Sequence, residues 1–543
     1  MDLLFKIDEV TFNLALCWFL TTLVRFESFG EFGMGSSDGP MLADEKGSGT
    51  IQRQFSHGAL RSERSIQTGA LSRLNSSGLK GDLQKPLLRA KSRAFIKPPS
   101  SVIPTLFTLV VVLGTLSLGI ALGYTSPTQA DIIHDLHLSL SQYSFFGSLV
   151  NLGCMVGAVS SGRIADSLGR KGALVAAAIP NLVGWIMVAM AKDLQFLYIG
   201  RFLKGLGGGI VSFTVPTYIA EVSPKHMRGT LGAMHQLAVT VGIMMAYMGG
   251  LFFQWRMLAL IATIPGALLL IGLCFITETP RWLGNADRNK DLATALQRLR
   301  GKDYNISSEL SEIQNAAEVS RLQPSVLVTE LFQWRLFRPL LAGIGVMALQ
   351  QFSGINGIML YAGEIFSTVG FKSPNAASLL LAMLQVAVTL TSAGLMEKAG
   401  RRLLLLLSSG GMALSAFLVG FSFFLRNIKN PSPEMDTFIN VLALCSLLFY
   451  VVSFSFGLGA IPWVIMSEIF PSRVKGLAGS LATLVNWSCA WAVTLTFNFL
   501  LNWTSYGCFW LYASICLATV IFVALFVPET RGRTLEQIEA SFK

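Results

Sequence analysis

Long apolar runs separated by short charged turns are the feature that most restricts the fold of this 543-residue chain. Most runs are about 20 residues long, which allows a helix to cross a hydrocarbon layer of about 30 Å. The mean hydropathy is +0.56 and only 13% of the residues are charged, compared with about 25% in a soluble domain. The runs lack the alternation of apolar and polar residues that marks a transmembrane β-barrel. The sequence therefore predicts an all-α membrane protein.

The apolar runs fall into two sets of six, with a polar gap between the sets. The twelve predicted spans are 103–123, 142–162, 172–190, 196–219, 230–252, 256–277, 339–362, 377–396, 402–425, 438–466, 476–501 and 505–527. The corresponding regions are a disordered cytoplasmic tail over 1–100, a first six-helix bundle over 101–277, a cytoplasmic linker over 278–338, a second six-helix bundle over 339–527 and a cytoplasmic tail over 528–543.

The net charge of +11 comes mainly from the N-terminal tail, the linker and the turns on one side of the predicted bundles. With twelve crossings, the positive-inside rule places that side, the linker and both termini in the cytoplasm. Contact with anionic lipid accounts for this basic surface, so no nucleic-acid partner is expected. The seven cysteines have no CxxC spacing and lie mostly in apolar runs. No metal, cofactor or disulfide framework is predicted.

Two questions about the N-terminal tail stay open. Residues 10–24 are apolar but short for a span, and either residues 1–33 are a gene-model extension before a start at Met34 or Met41, or this stretch lies on the membrane as an interfacial helix. The tail from residue 35 is rich in Ser, Gly, Lys and Arg and is predicted to be disordered. Within it, Leu87 and Leu88 form a candidate dileucine signal for sorting machinery.

A charged signature occurs once in each set of six runs. Glu221 and Glu468 are each followed by Pro at +3, a basic residue at +7 (Arg228, Lys475) and Gly at +8 (Gly229, Gly476). Two further pairs follow the same order along the chain, Asp166–Arg170 with Glu397–Arg401 and, more loosely, Glu278 with Glu529. Matches in one order, separated by roughly half the chain, indicate a duplicated unit.

The repeated charges lie at the ends of predicted spans, where the simplest interpretation is that they anchor the topology. Their repetition favours a second interpretation, a cytoplasmic salt-bridge network formed by Asp166, Arg170, Glu221, Arg228, Glu397, Arg401, Glu468 and Arg473. Carboxylate–guanidinium pairs are geometrically specific, and partly buried pairs can be broken and remade. Such a network predicts a gate that latches the two bundles, as alternating access by two rocking repeats requires.

Arg201 opens a glycine-rich stretch in the fourth predicted span, where Gly205 and Gly207–Gly209 permit close helix packing. We expect a functional role for this arginine. The alternative is an anchor whose side chain snorkels to the membrane surface.

Polar amides interrupt the seventh predicted span at Gln350, Gln351 and Asn356. Amides in hydrocarbon are costly, so we expect them to face an aqueous cavity. As both donors and acceptors, they suit a ligand that carries a ring of hydroxyl groups. The candidate substrate site also includes Gln236, Gln385, Asn486 and the flat apolar rings of Trp463 and Trp487. For any single amide, an interhelical hydrogen bond is the structural alternative.

Several motifs together resemble the sugar porter family of the major facilitator superfamily. The matching segments are 162–171, 200–201, 216–221, 278–283, 350–356, 461–463 and 528–530, and the stretch 123–129 with the Pro-Leu-Leu tail is similar to the plant early-response-to-dehydration-type branch. The resemblance implies monosaccharide transport, a location in the vacuolar rather than the plasma membrane, and sugar contacts at Gln236, Gln350, Gln351, Asn356 and Trp463. It places Gln385 where the family often has Asn.

The chain departs from the family in the first span. Proton-coupled sugar porters carry an Asp there, and the matching position is Ala121. Leu360 and Ser455 replace a tyrosine and a glutamate that are frequent in relatives. Because alanine cannot bind a proton, we predict a facilitator that moves a monosaccharide down its gradient. A proton-coupled symporter using Glu221 or another gate acid, and a sugar sensor that does not transport, remain alternatives; an enzyme is not expected.

Overall fold

The computed structural model describes residues 100–321, 334–360, 374–427, 433–471, 474–533 and 537–538. All of these belong to one unit, Pro98–Lys543. The predictions for residues 1–33, for the dileucine at Leu87 and Leu88 and for Arg473 lie outside the described residues.

The first set of predicted spans corresponds to seven helices. They are α1 (Val102–Asp135), α2 (Leu140–Ser167), α3 (Gly169–Ala189), α4 (Leu194–Val222), α5 (Arg228–Phe252), α6 (Trp255–Ile261) and α7 (Ile264–Leu273). The sixth predicted span is therefore two short helices, α6 and α7. Three helices follow in the polar gap, namely α8 (Pro280–Asn285), α9 (Asn289–Arg300) and α10 (Ser307–Arg321).

The second set contains eight helices. They are α11 (Trp334–Phe352), α12 (Ile355–Leu360), α13 (Pro374–Ala399), α14 (Arg401–Arg426), α15 (Pro433–Phe456), α16 (Ile461–Ile469), α17 (Lys475–Trp503) and α18 (Ser505–Phe526). Over the described ranges every regular element is a helix, which confirms the all-α class.

Nine helical stretches of the described part are long and apolar enough to cross a membrane. The other three predicted spans coincide with α4, with α11 and α12, and with α17. The prediction of a multi-helix membrane protein is confirmed, and the number of twelve crossings stays a prediction.

The seventh predicted span contains two helices, and the break between them lies among the polar residues that interrupt it. α11 ends at Phe352 and α12 begins at Ile355, because Gly354 adopts a φ of +94°, which favours glycine. A methyl group at Gly354 would lie 2.8 Å from the ring of Tyr512, so the break is also sterically fixed. The Tyr450 hydroxyl donates a 2.6 Å hydrogen bond to the buried carbonyl of Ser353 at the break, as a broken helix inside a membrane protein requires.

The tenth predicted span is also broken, between α15 and α16. The backbone N–H of Leu458 in this break donates to the Ser408 hydroxyl at 2.8 Å. In the first half, α4 packs between α2 and α3 as its glycines predict. Side chains at Gly205 or Gly209 would collide with the backbone carbonyls of Val150 or Cys154 in α2.

Candidate functional site

The repeated motifs of both halves meet at one end of the described structure, which we call the motif end. In the first half, the guanidinium of Arg170 in α3 pairs with Glu221 in α4. The Nε–Oε2 distance is 3.1 Å, and Nη2 donates to Oε1 at 3.2 Å. Thr279 donates to the other oxygen of Glu221 at 2.7 Å, and Arg170 also contacts Asp166 at 3.3 Å. Both partners of the central pair are buried.

The second half repeats this arrangement with longer distances. Arg401 in α14 contacts Glu468 in α16 at 3.5 Å and both oxygens of Glu397 at 3.4 Å. Asp166, Arg170 and Glu221 therefore correspond in space, as well as in sequence order, to Glu397, Arg401 and Glu468. Each arginine holds the start of one helix against the end of another within its own half.

The third repeated pair, Glu278 and Glu529, caps helix N-termini. Glu278 accepts from the backbone N–H groups of Arg170 and Lys171 at 3.1 and 2.9 Å. Glu529 accepts from those of Arg401 and Arg402 at 3.0 and 3.1 Å. A carboxylate at this position satisfies free N–H groups and interacts favourably with the helix dipole. Burial nevertheless raises the pKa of Glu278 above its ordinary value.

The preceding glycines allow this approach. Gly169 has a φ of +83° and Gly400 a φ of +87°, values that disfavour other residues. A methyl group at Gly400 would also lie 2.5 Å from the Glu529 carboxylate. The Gly-Arg pairs at 169–170 and 400–401 thus start α3 and α14 in the same way.

The two acids that follow the second and eighth predicted spans each contact the opposite half. Glu397 Oε1 accepts from the backbone N–H groups of Gly229 and Thr230, at 2.5 and 3.3 Å, where α5 begins. The Asp166 carboxylate lies against Gly476, where α17 begins, so closely that a side chain there would overlap it. Each signature therefore ends in a glycine that lies against an acid of the other half.

Further contacts join the halves beside these acids. The Lys475 ammonium lies 3.7 Å from Glu221, Arg228 donates to the carbonyl of Arg533 at 3.4 Å, and the backbone N–H of Gly162 donates to Ser480 at 2.8 Å. Lys475 occupies the position of Arg228 in the repeat and is a further member of this charged network. The sequence interpretation of latching guanidinium pairs needs correction. The ion pairs of Arg170 and Arg401 lie within their own halves. The contacts between the halves come from Lys475, from Arg228 and from backbone N–H groups.

The amides of the second half form a connected chain. Gln350 donates to the carbonyls of Leu458 and Gly459 at 2.7 and 3.1 Å, in the break between α15 and α16. Gln351 donates to Asn486 in α17 at 2.8 Å, and Asn356 in α12 donates to Gln351 at 2.5 Å. The structure therefore brings Gln350, Gln351, Asn356 and Asn486 together around the break in the seventh predicted span.

The remaining candidate residues are distributed around the two halves. Trp463 in α16 lies with its ring centroid 5.2 Å from that of His235 in α5, and half-buried Gln236 follows His235 in the chain. Trp487, next to Asn486, packs against an apolar cluster of the first half. Gln385 in α13 is buried and its Oε1 has no partner in the described part of the chain. Sequence reasoning missed His235, whose position beside Gln236 was the available signal.

Arg201 is buried, with 1% of its surface exposed, and so is Lys204 with 0%. Arg201 is therefore not a snorkelling anchor. None of the side-chain nitrogens of these two residues has a hydrogen-bond partner among the described residues. The Arg201 guanidinium lies 4.9 Å from the Phe146 ring centroid, and the Lys204 ammonium lies 5.6 Å from the Trp185 ring centroid. Such cation–π contacts contribute about 1–2 kcal/mol, which is less than the several kcal/mol that burying each ion costs.

These features define a membrane transporter built from two related helical halves. A family model described as "Sugar (and other) transporter" matches residues 109–542. The chain belongs to this sugar transporter family, which confirms the resemblance drawn from its motifs.

Relatives from Arabidopsis thaliana match over most of their length. The chain is 48% identical to "Sugar transporter ERD6-like 6" over 444 residues, which cover 82% of this chain and 91% of the relative. It is 45% identical to "Sugar transporter ERD6-like 16" over 436 residues, which cover 80% of this chain and 90% of the relative.

Solved structures of the proton:xylose symporter XylE share the fold. The form bound to 6-bromo-6-deoxy-D-glucose superposes with a TM-score of 0.73 at 26% identity, covering 82% of this chain and 100% of that chain. The inward-open form from E. coli gives a TM-score of 0.60 at 26% identity, covering 80% of this chain and 99% of that chain.

Proposed function

We propose that the protein carries a monosaccharide across a membrane by alternating access, as a facilitator without proton coupling. Family membership supplies the class of substrate. The observation that carries the mechanism is the pair of crossed contacts at the motif end, Glu397 on the start of α5 and Asp166 on the start of α17. These contacts join the two halves at the motif end. The groups that form them can separate without unfolding either half.

The motif end is the cytoplasmic gate in this proposal, held closed in the present conformation. A conformation that is not inward-open is supported by the lower TM-score with the inward-open form of XylE, 0.60, than with the form bound to 6-bromo-6-deoxy-D-glucose, 0.73. Opening toward the cytoplasm would release Glu397 from Gly229 and Lys475 from Glu221, while the pairs Arg170–Glu221 and Arg401–Glu468 remain within their halves.

The substrate site in this proposal is the chain of amides with the Trp463 ring beside it. Gln350, Gln351, Asn356 and Asn486 provide donors and acceptors for sugar hydroxyls. Trp463 provides a flat apolar surface for the C–H face of the ring, and its contact with His235 places it next to the first half. Gln236 and Gln385 would complete the site from α5 and α13 when a sugar is bound.

Facilitated diffusion is favoured over proton coupling by two observations. The matching position for the proton-binding acid is Ala121. The alternative proton carrier, Glu221, is already engaged by Arg170, Lys475 and Thr279, which stabilise its charged form. Proton coupling is kept as the second candidate, because the structural relative XylE is a proton:xylose symporter.

The vacuolar membrane is the proposed location, supported by the similarity to the early-response-to-dehydration-type branch and by the dileucine at Leu87 and Leu88. Imaging of a fluorescent fusion tests the location, and the Leu87→Ala, Leu88→Ala double variant tests the signal. Retention of the double variant in the vacuolar membrane would remove the role proposed for the dileucine.

Uptake of labelled sugars into proteoliposomes tests the transport mechanism. We expect equilibration of a monosaccharide to the same final level with and without an imposed pH gradient, because the matching position for the proton-binding acid is Ala121 and the partners of Glu221 stabilise its charged form. Gln350→Ala should raise the KM for the sugar, because it removes a proposed partner for the sugar hydroxyls. It also removes the hydrogen bonds from Gln350 to the break between α15 and α16. The matched control is Gln254→Ala, at an exposed glutamine between α5 and α6. Accumulation driven by the pH gradient would refute facilitation, and unchanged transport by Gln350→Ala would refute the placement of the site.

A further inference from the structure

Two buried cations share one aromatic cage inside the first half. Arg201 and Lys204 lie one turn apart on α4, so their side chains leave the same face of the helix. Arg201 lies 6.0 Å from the Tyr124 ring centroid and Lys204 lies 5.6 Å from that of Trp185. The rings of Tyr124 and Trp185 are themselves 5.2 Å apart. The two side chains therefore face neighbouring rings.

The polar hydrogens of the cage are directed elsewhere. The Tyr124 hydroxyl donates to the carbonyl of Trp255 at 2.8 Å, and the Trp185 N–H donates to Ser117 at 3.4 Å. The cage thus presents ring faces to the two cations. The Cys154 thiol in the same apolar cluster is neutral in its ordinary protonated form.

A permanent positive charge in such a place requires a counter-charge. Arg201 cannot lose its proton under ordinary conditions, and a buried ion without a partner is strongly unfavourable. No carboxylate hydrogen-bonds or forms an ion pair with either side chain within the described ranges. Ala121, one turn before Tyr124 on α1, is fully buried. It occupies the position that matches the Asp of proton-coupled sugar porters, so this position supplies no negative charge. The described residues supply no counter-charge, which leaves room for a bound ligand to provide it.

We propose that Arg201 and Lys204 bind a small monovalent inorganic anion of the chloride class inside the first half. The occupant is small because both cations are almost completely enclosed by protein. It is inorganic and monovalent because a weakly hydrated single charge loses less on entering an apolar cage than a carboxylate metabolite or a doubly charged anion. This anion balances the charge of the first half and is distinct from the sugar site around Gln350.

The test is thermal unfolding of the purified full-length protein in sodium chloride and in sodium gluconate at equal ionic strength. Ligand that binds the folded state raises the Tm in a saturable manner, so the wild type should be more stable in chloride by a few degrees. Lys204→Met should lower the chloride affinity at least tenfold. It should also raise the Tm in gluconate, because it removes an unbalanced charge. The matched control is Lys192→Met, at an exposed lysine before α4, which should respond as the wild type does.

A second variant supplies the counter-charge from within. Ala121→Asp places a carboxylate beside the cage and should abolish the chloride response without removing either basic side chain. If Lys204→Met does not fold, this variant tests whether chloride binds at the cage. An equal Tm for the wild type in chloride and gluconate would overturn the anion site. So would a chloride response that Lys204→Met retains in full. Because the readout is stability, these results are independent of whether the protein transports a sugar.

Discussion

The two halves of the molecule are alike at the motif end and unlike in their interiors. Arg170 with Glu221 and Arg401 with Glu468 form equivalent pairs, and Glu278 and Glu529 cap equivalent helices. In the interior, the first half encloses Arg201 and Lys204 among aromatic rings, whereas the second half holds uncharged amides in one hydrogen-bonded chain. The comparison indicates that duplication preserved the ion pairs and helix caps at the motif end, while each interior acquired its own polar chemistry.

The difference also assigns separate tasks to the halves. Amides bind a neutral polyhydroxylated ligand without a charge penalty, and three of the four linked amides lie in α11 and α12, next to a helix break. A neutral ligand cannot balance the charge of the buried side chains of Arg201 and Lys204. We therefore expect substitutions at the motif end to affect both halves equally, and interior substitutions to affect each half differently.

The largest effect is expected where an acid of one half is seated on a helix of the other. Gly476→Ala places a methyl group in the position of the Asp166 carboxylate, and should separate the halves. We expect sugar uptake to fall at least tenfold, corresponding to about 1.4 kcal/mol or more, with a conformational shift away from the closed gate. Gly229→Ala should do the same, because its methyl group would lie 2.6 Å from Glu397.

The control for both variants is Gly410→Ala in α14, where nothing lies within 4 Å of an added methyl group. Labelling of a cysteine placed at the motif end measures the opening. If Gly476→Ala and Gly229→Ala differ strongly from each other, the equivalence of the two gate contacts is lost.

An intermediate effect is expected from the amide chain. Gln351→Leu leaves Asn356 and Asn486 without their shared partner, and an unsatisfied buried polar group costs about 1–3 kcal/mol. The KM for the sugar should therefore rise roughly tenfold, while thermal unfolding stays cooperative.

The corresponding comparison in the first half is Gln236→Leu. Because Gln236 has no hydrogen bond to the amide chain among the described contacts, its effect on the KM should be smaller. A larger rise in KM for Gln236→Leu would move the centre of sugar recognition to the first half.

The smallest effect is expected from Lys475→Met. The ammonium lies 3.7 Å from Glu221, but Arg170 and Thr279 still hold that carboxylate after the substitution. We expect a bias of about 1 kcal/mol toward the inward-open state, measured as a severalfold increase in cysteine labelling at the motif end. Arg228→Met tests the equivalent position. Unchanged labelling in Lys475→Met would remove this lysine from the gate.

Much of the fold follows from local features of the sequence. Apolar runs of sufficient length predict membrane helices, and the glycines at 205–209 predict the close packing of α4. Polar residues mark the seventh predicted span as interrupted, but the position of the break does not follow from them. It depends on the lack of space for a side chain between Gly354 and Tyr512 and on the hydrogen bond from Tyr450, and both tyrosines are distant in the chain. Likewise, the repeat identified Asp166 and Glu397. It did not predict that each acid contacts the start of a helix in the opposite half.

The site shows the same limit. Residue types predicted Gln350, Gln351, Asn356 and Asn486 as polar groups inside an apolar region, and the structure links them. The sequence drew attention to Arg201 but gave no reason to notice Lys204, because a lysine in a glycine-rich helix is unremarkable until its burial is known. The ring contact between Trp463 and His235 depends on how the two halves pack together, and no local sequence pattern specifies that packing.

The crossed acids have the geometry of a homodimer interface. Asp166 meets the helix that begins at Lys475, and its equivalent Glu397 meets the helix that begins at Arg228, as in a twofold arrangement where each subunit offers the same surface. Two separate copies of an ancestral helical unit, inserted in the same orientation, would form both contacts without any new residue. A split within the predicted linker over 278–338 is therefore a natural place to seek reassembly from co-expressed fragments.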